Sequence, residues 1–221
     1  MNLKTNFKKP SLGISLFVIF AFTFGVIFAQ EKKIDPEILK LKAPEKFVVK
    51  FETTKGDFEV TAERKFSPLA VDRFYQLVKS NYFTNVPFYR CVPNFVAQFG
   101  DLDSLIYKPW EKEIVLDEPV LKSNEEGTIA FARSGKNTRS CQLYINYKDN
   151  LRLDTIPGET KGFPAFAYVS KGMKVVKKFY TGYQDEPRKK MDSTIKNIPE
   201  YLKKNYPELD YINKAYLLED K

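Results

Sequence analysis

The sequence predicts a mainly β fold, in which short strands form a closed or nearly closed barrel with helices over its ends. Three observations support this prediction. A β-hairpin pattern opens the folded region, and an amphipathic helix follows it. Short β-rich runs, separated by glycine, proline and asparagine, then extend from Pro87 to Ile145.

The predicted hairpin covers residues 47–62, and Lys55-Gly56-Asp57 forms its turn. Strand-forming residues flank this turn on both sides, as expected for two antiparallel strands. A helix follows, because Ser67 is a suitable N-cap and Pro68 fits the first helical position. The apolar residues of this helix recur at helical spacing and build one face: Ala70, Val71, Phe74, Leu77 and Val78.

The C-terminal part continues the pattern with an aromatic, strand-like run over residues 163–169 and a short helix candidate over Met173–Phe179. Pro199 marks the start of a further helix, which we predict over Ile198–Tyr211. Residues Tyr211–Leu218 predict a final strand. Such a strand would pair back onto the sheet and remove an open edge.

The composition excludes whole classes of enzyme. The 221 residues include no histidine and two cysteines, Cys91 and Cys141. Ser–His–Asp triads, Cys–His pairs and histidine-ligated metals are therefore excluded, and two cysteines cannot form a four-cysteine site. We expect both cysteines to face the barrel interior as buried thiols, and a disulfide between them is the alternative.

The formal net charge of +8 is modest once the N-terminal Lys4, Lys8 and Lys9 are set aside. A nucleic-acid-binding protein would be expected to carry a dense basic stripe with interleaved aromatic residues or a known motif. The sequence has neither, so we expect a solvated basic surface and no nucleic-acid partner.

Residues 1–29 have the pattern of a secretory signal peptide. They begin with a basic region, and an uncharged apolar stretch follows from Ile14 to Ala29. Cleavage after Ala29 would release the protein. A retained segment would instead act as an N-terminal membrane anchor, because the apolar stretch, extended back to Leu12, reaches the lower limit for a span. In both cases we expect an exported protein in the periplasm or the cell envelope, with residues 30–46 as a charged linker.

Residues 88–101 and 127–145 hold most of the functional information. Side chains alternate along a strand, so Val96 and Gln98 point to the same side of their strand, and for the same reason Gln142 and Tyr144 point to the same side of theirs. If these side chains gather with Arg90, they form an apolar groove with one guanidinium and two amides, which suits a peptide. The alternative is an ordinary strand arginine with core-filling aromatic residues around it.

Both segments resemble the signature stretches of cyclophilin-type peptidyl-prolyl isomerases. The first reads Phe-Tyr-Arg-x-x-Pro-x-Phe-x-x-Gln-x-Gly-Asp from Phe88, and the second reads Asn-Thr-x-x-x-Gln-x-Tyr-Ile from Asn137. The similarity runs from about Phe47 to Gly182. It implies a closed eight-stranded antiparallel barrel capped by helices over residues 47–221, with residues 183–221 as an extension whose helix and final strand close the barrel.

The resemblance also implies roles for individual residues. Arg90 would be the catalytic arginine, with Gln98 beside it. The substrate-binding residues would be Phe95, Val96, Ala132, Arg133, Gln142, Tyr144, Leu153 and Phe163, of which Ala132 and Arg133 would contact the peptide through their backbone. The expected partners are proline-containing polypeptides. We expect a monomer that needs no cofactor or metal.

The sequence departs from the family pattern at four places. Val96 replaces the usual methionine, Tyr144 the usual phenylalanine, Phe163 a frequent histidine, and Arg152 the tryptophan of many eukaryotic members. These changes leave open a non-catalytic peptide-binding or chaperone-like module. A tethered structural protein of the envelope is a further alternative.

The loop that carries Arg133, Lys136 and Arg139 is basic. It is either a solvated loop or a feature that selects acidic residues next to the substrate proline.

Overall fold

The computed structural model describes Met1 and residues 33–100, 104–156, 162–192, 194–195 and 197–218. The predicted signal or anchor at 1–29 therefore lies outside the described residues, apart from Met1 itself. No helix within the described ranges has both the length and the apolar character needed to cross a membrane.

Nine strands form one antiparallel sheet in the described part of the chain. They are β1 Lys46–Thr53, β2 Gly56–Glu63, β3 Val86–Pro87, β4 Arg90–Cys91, β5 Val96–Phe99, β6 Thr128–Phe131, β7 Leu143–Asn146, β8 Ala165–Lys171 and β9 Tyr211–Leu218. The helices are α1 Pro36–Lys40, α2 Pro68–Lys79, α3 Ser104–Lys112, α4 Met173–Val176, α5 Glu186–Lys190 and α6 Ile198–Asn205, with a 3₁₀ turn at Leu151–Asp154. The predicted mainly β class is confirmed.

The predicted closed eight-stranded barrel is wrong in its strand count and in its closure. The sheet is a curled one with the strand order β3-β9-β1-β2-β8-β6-β7-β5-β4. Its two end strands, β3 and β4, are separated in the chain by Phe88 and Tyr89 alone. The chain changes partners at this point: Pro87 pairs with Tyr211 of β9, whereas Arg90 pairs with Gln98 of β5. What would be one continuous barrel strand is thus divided into two short ones.

The hairpin of β1 and β2 agrees with the prediction. Phe51 lies opposite Phe58, and Thr53 lies opposite Gly56 at the turn. Gly56 has a φ of +116°, which side chains with a Cβ rarely adopt. The predicted final strand is also confirmed, since β9 pairs with β1 and with β3.

Helix α2 has the predicted position but a different N-terminal cap. Ser67 makes no side-chain bond to the helix backbone. Glu118 accepts the N–H groups of Leu69 and Ala70 at 2.9 and 3.2 Å instead, and it also accepts the Ser67 hydroxyl. A carboxylate is favourable at this end of a helix because the exposed N–H groups carry partial positive charge.

The apolar core lies between α2 and the face of the sheet that α2 covers, and phenylalanine rings dominate it. Phe51 stacks on Phe58 with ring centroids 4.9 Å apart, and Phe74 and Phe99 pack against Phe51 at 6.3 and 6.2 Å. Phe88, at the break between β3 and β4, stacks on the ring of Phe179 at 4.0 Å. This packing fixes the strand that leads into Arg90.

The predicted linker at 30–46 differs from a loose tether in the part that the structure describes. It contains α1, capped by Asp35, and Ile38 packs against the core cluster. The Gln76 amide of α2 donates to the carbonyls of Leu39 and Leu41 at 2.9 and 3.0 Å. Residues 34–43 therefore pack onto the domain, because the linker contains apolar side chains and α2 offers an amide to its backbone.

Cys91 and Cys141 are buried in the core as thiols and are not bridged, as predicted. Burial disfavours the thiolate and raises the pKa of Cys91 to about 12. We expect no reaction of either cysteine with Ellman's reagent at pH 8 in the folded protein, and reaction of both after unfolding in guanidinium without reductant. Recovery of no thiol after unfolding would show a disulfide instead.

Candidate active site

A row of four residues crosses the sheet beside the site. Arg90 of β4 lies opposite Gln98 of β5, Gln98 lies opposite Tyr144 of β7, and Tyr144 lies opposite Ala130 of β6. Directly opposed residues on neighbouring strands point to the same face of a sheet. The guanidinium, the amide and the aromatic ring therefore share one face, as the alternation in the sequence predicts.

This face forms the floor of a groove of about 720 Å³. All ten predicted site residues line it: Arg90, Phe95, Val96, Gln98, Ala132, Arg133, Gln142, Tyr144, Leu153 and Phe163. Their proximity is an observation, whereas their catalytic and binding roles stay predictions. The volume falls within the range of sites that hold small ligands or short peptide segments.

One part of the groove is apolar. Val96, Ala130, Tyr144 and Leu153 form a buried cluster, separate from the main core, with Phe95, Ala132 and Phe163 packed beside it. The rings of Tyr144 and Phe163 meet edge to face with centroids 6.2 Å apart. The cluster offers an aromatic and aliphatic wall of the kind that suits a pyrrolidine ring.

Arg90 lies at the edge of this apolar cluster. Its Nε donates to Asp185 in a salt bridge, and its Nη1 donates to the side-chain oxygen of Gln98 at 3.3 Å. The guanidinium carbon lies 5.3 Å from the centre of the Phe95 ring. The hydrogen bond from Arg90 is the main reason that the pKa of Asp185 lies below its usual value. The Asp185 carboxylate is therefore charged at neutral pH.

The two predicted glutamines form an amide network next to Arg90. Gln98 Nε2 donates to Gln142 Oε1 at 3.3 Å, and the Tyr89 hydroxyl donates to the same oxygen at 2.9 Å. Gln142 Nε2 donates to the Tyr107 hydroxyl at 2.9 Å. These bonds fix the direction of amide groups that could otherwise rotate, so the groove presents polar groups in set positions.

The backbone of Ala132 is partly used within the fold. Its N–H donates to the carbonyl of Gln142 at 2.9 Å. A peptide in the groove would therefore have to use the carbonyl of Ala132 or the backbone of Arg133 rather than that N–H. The predicted backbone contact between the peptide and Ala132 and Arg133 therefore stays a prediction, without the Ala132 N–H.

Asn124 supports the apolar wall from behind, and the sequence did not point to it. Its side chain is fully buried and accepts the Tyr144 hydroxyl at 2.8 Å. It also donates to Asp154 at 2.7 Å and to the Phe163 carbonyl at 2.8 Å. One amide thereby ties together the segments that carry Tyr144, Leu153 and Phe163.

If the groove has the isomerase activity that the family resemblance implies, Tyr144→Phe is expected to keep that activity within about threefold of wild type while lowering the free energy of unfolding by about 1 kcal/mol. The ring that faces the groove stays, and only the buried bond to Asn124 is lost. Asn124 keeps a second donor, Asn146, at 3.1 Å, so its oxygen stays satisfied. Urea unfolding and a peptide isomerisation assay would measure both quantities. A tenfold loss of activity would show that the hydroxyl acts on substrate.

The prediction of a solvated basic loop is wrong for two of its three charges. The Arg139 side chain is fully buried and pairs with Glu118 at 3.1 Å and with Asp117 at 3.5 Å. Arg133 pairs with Asp117 at 2.8 Å, and its guanidinium carbon lies 4.9 Å from the centre of the Phe163 ring. Acidic residues from a distant segment neutralise the loop, which the local sequence could not reveal. Lys136 is exposed, as predicted.

Several residues of the groove were missed by the sequence reasoning. Helix α3 lies where short strands were expected, and it brings Tyr107 and Glu111 to the groove. Arg188 of α5 also lines the groove. The amphipathic pattern of α3 was a usable signal, but Pro109 within it argued against a helix.

The fold and the groove together define a β-sheet protein with a partly apolar groove that is lined by one arginine and two glutamines beside an apolar cluster. A sequence model of one family, described as cyclophilin type peptidyl-prolyl cis-trans isomerase/CLD, matches residues 48–199. Because this match covers more than half of the chain, the protein belongs to the cyclophilin-type peptidyl-prolyl cis-trans isomerase family.

Curated relatives carry the same family name. The chain is 31% identical over 149 residues to peptidyl-prolyl cis-trans isomerase-like 1 of Aspergillus fumigatus, which covers 63% of this chain and 87% of the relative. It is 30% identical over 138 residues to a peptidyl-prolyl cis-trans isomerase of Acinetobacter baylyi, covering 59% and 70%. The isomerase-like 2 protein of Gibberella zeae is 35% identical over 112 residues, 48% of this chain, which span 19% of that longer protein.

Solved structures agree on the fold. The crystal structure of a cyclophilin type isomerase from Cryptosporidium parvum superposes with a TM-score of 0.56 at 18% sequence identity, over 80% of this chain and 99% of that one. A second structure of that protein, determined in the presence of the dipeptide Ala-Pro, gives a TM-score of 0.54 at 18% identity, over 78% and 99%. At 18% identity this structural similarity supports the fold assignment alone.

Proposed function

We propose that this protein catalyses the cis–trans isomerisation of Xaa–Pro bonds in polypeptide segments that bind in the groove. The observation that carries the proposal is the row of Arg90, Gln98 and Tyr144 across neighbouring strands, with the apolar cluster of Val96 and Leu153 beside it. Membership of the isomerase family supports it.

The chemistry fits a protein without histidine. Rotation about an amide costs about 18–20 kcal/mol because resonance must be broken, and uncatalysed Xaa–Pro exchange takes tens to hundreds of seconds. No covalent bond is broken and no proton has to be moved. An enzyme therefore needs only to bind the twisted amide more tightly than the planar one.

We assign this role to Arg90. In the twisted amide the prolyl nitrogen regains a lone pair, which can accept a hydrogen bond that the planar amide cannot. A guanidinium is a permanent cation with a rigid set of donors, so it favours the twisted state selectively. The apolar cluster would hold the proline ring while Gln98 and Gln142 orient the peptide on either side of the rotating bond.

The test is the rate of cis–trans exchange in a short Xaa–Pro peptide, measured by NMR exchange spectroscopy with the full-length protein. We expect exchange well above the uncatalysed rate at substoichiometric protein. Exchange at the uncatalysed rate would overturn the proposal.

A second candidate is a non-catalytic peptide-binding module. The salt bridge between Arg90 and Asp185 favours it, because an ion-paired guanidinium offers fewer donors and less net charge to a substrate. The same NMR experiment separates the two candidates. Peptide shift changes without faster exchange would identify a binding module.

We further propose that the protein is exported and assists the folding of exported proteins, either released after Ala29 or tethered by residues 1–29. This proposal rests on the apolar stretch of the sequence. Cell fractionation with N-terminal sequencing tests it. A mature protein that begins at Gln30 indicates release, a retained Met1 in the membrane fraction indicates tethering, and a cytoplasmic protein contradicts export.

A further inference from the structure

The salt bridge between Arg90 and Asp185 also has a second interpretation, which rests on the proposed isomerase activity. We propose that Asp185 is a positioning residue for Arg90. Its carboxylate holds the Nε side of the guanidinium, so that the Nη groups stay directed at the groove. Asp185 would then be part of what makes Arg90 effective.

The fold places Asp185 beside Arg90 through backbone contacts. Gln184 forms an isolated antiparallel bridge with Cys91, the residue that follows Arg90. The N–H of Gln184 donates to the Thr181 carbonyl at 3.2 Å, and Gln184 has a φ of +48°. This turn brings the neighbouring Asp185 against the guanidinium. The contact between Asp185 and Arg90 therefore follows from the path of the backbone, and does not depend on two long surface side chains meeting in solvent.

Aromatic packing secures the turn. The ring of Tyr183 lies 4.9 Å from that of Tyr180 and 5.1 Å from that of Tyr206. Tyr206 belongs to a buried cluster with Leu202 of α6. The segment that carries Asp185 is thus anchored to the C-terminal part of the domain.

Arg90 is held at two points. Asp185 accepts from Nε, and Gln98 accepts from Nη1 at 3.3 Å. An arginine side chain has many rotamers and loses considerable freedom when it is fixed. Asp185 makes a charge-assisted bond to one edge of the guanidinium, and the Gln98 amide bonds to another. The conformational freedom of Arg90 is therefore lost when the protein folds and does not have to be lost again in each turnover.

The expected kinetic signature follows from this arrangement. Arg90 interacts more strongly with the twisted amide than with the bound planar peptide, so misplacing it should affect kcat and leave KM nearly unchanged. If Asp185 only stabilised the fold, loss of the carboxylate would lower the melting temperature without changing kcat for the folded protein.

The experiment compares wild type, Asp185→Asn, Asp185→Glu and Asp192→Asn with the same Xaa–Pro peptide. We expect Asp185→Asn to lower kcat about 10- to 100-fold with KM within twofold, since small displacements of a catalytic group have effects of this size. Asp185→Glu keeps the charge and should recover part of kcat. Asp192 lies in the same part of the chain but accepts bonds from Thr194, so Asp192→Asn is a matched control that should behave like wild type.

A second measurement reports on Arg90 directly. The ¹⁵Nε–H signal of Arg90, assigned by its absence from Arg90→Lys, should exchange slowly with water in wild type and in Asp185→Glu. It should broaden or vanish in Asp185→Asn. An unchanged signal in Asp185→Asn, or an unchanged kcat in an active wild-type background, would overturn the inference while leaving the isomerase function intact. A wild type without activity would overturn the proposed function and this inference with it.

Discussion

Arg90→Ala is expected to lower kcat/KM for Xaa–Pro isomerisation about 100- to 1000-fold, the loss typical when one donor to a developing lone pair or charge is removed. Gln98 and the apolar wall would remain, so peptide binding should persist at nearly the same affinity. The side chain is partly exposed, at 18%, and its removal leaves no charge buried without solvent. The fold should therefore tolerate the change. Exchange spectroscopy and peptide titration on the same sample measure both quantities.

Two further variants serve as controls, one for the positive charge of Arg90 and one for its contact with the Phe95 ring. Arg90→Lys keeps the cation but loses the rigid fork, and we expect it to recover only a minor part of the activity. Arg152 also lies over the Phe95 ring, with its guanidinium carbon 4.8 Å from the ring centre. Arg152→Ala should cost far less than Arg90→Ala. Equal losses in the two alanine variants would show that a general positive potential matters, and not the position of Arg90.

Arg139→Met is expected to lower the free energy of unfolding by about 3–5 kcal/mol, because it removes the guanidinium that pairs with the buried Glu118 carboxylate and leaves Asp117 paired with Arg133. The Arg139 side chain is fully buried, while those of Asp117 and Glu118 are 6% and 10% exposed. Glu118 also caps α2, so the loss should spread to the start of that helix. Urea unfolding followed by circular dichroism gives the difference.

The exposed Lys136 in the same loop provides the matched control. Lys136→Met should change stability by less than about 0.5 kcal/mol, as expected for a surface position. If Arg139→Met does not fold, Glu118→Gln offers a milder test, with an expected loss of about 1–3 kcal/mol. In a double-mutant cycle, the two losses should be less than additive, since both remove the same pair. Full additivity would contradict a direct interaction.

The strand alternation around Arg90 and Tyr144 predicted the shared face of the site correctly, because burial on one side of a sheet enforces a period of two. The hairpin and the final strand were predictable for a related reason, since turn residues and strand formers are local signals. The resemblance to a family then supplied the roles of the ten groove residues. All ten line the groove, although proximity alone does not establish what each one does.

The features that the sequence could not show depend on contacts between distant segments. Asp185 lies 95 positions after Arg90 and has no local pattern that marks it as a partner. Arg139 looks like a solvated charge until Asp117 and Glu118 pack against it. The division of one strand into β3 and β4 has a similar origin, since the chain changes neighbours there, from β9 at Pro87 to β5 at Arg90.

The pairing of β1 with β9 has a consequence for how the chain folds. Thr54 and Asp210 are hydrogen-bonded although they lie 156 positions apart, and β1 has β9 as one of its two neighbours. Contacts of such long sequence separation slow folding, because much loop entropy is lost before they form. During synthesis, β1 cannot pair with β9 until residues 211–218 have left the ribosome. The sheet is therefore completed only once this C-terminal strand is available to pair with β1.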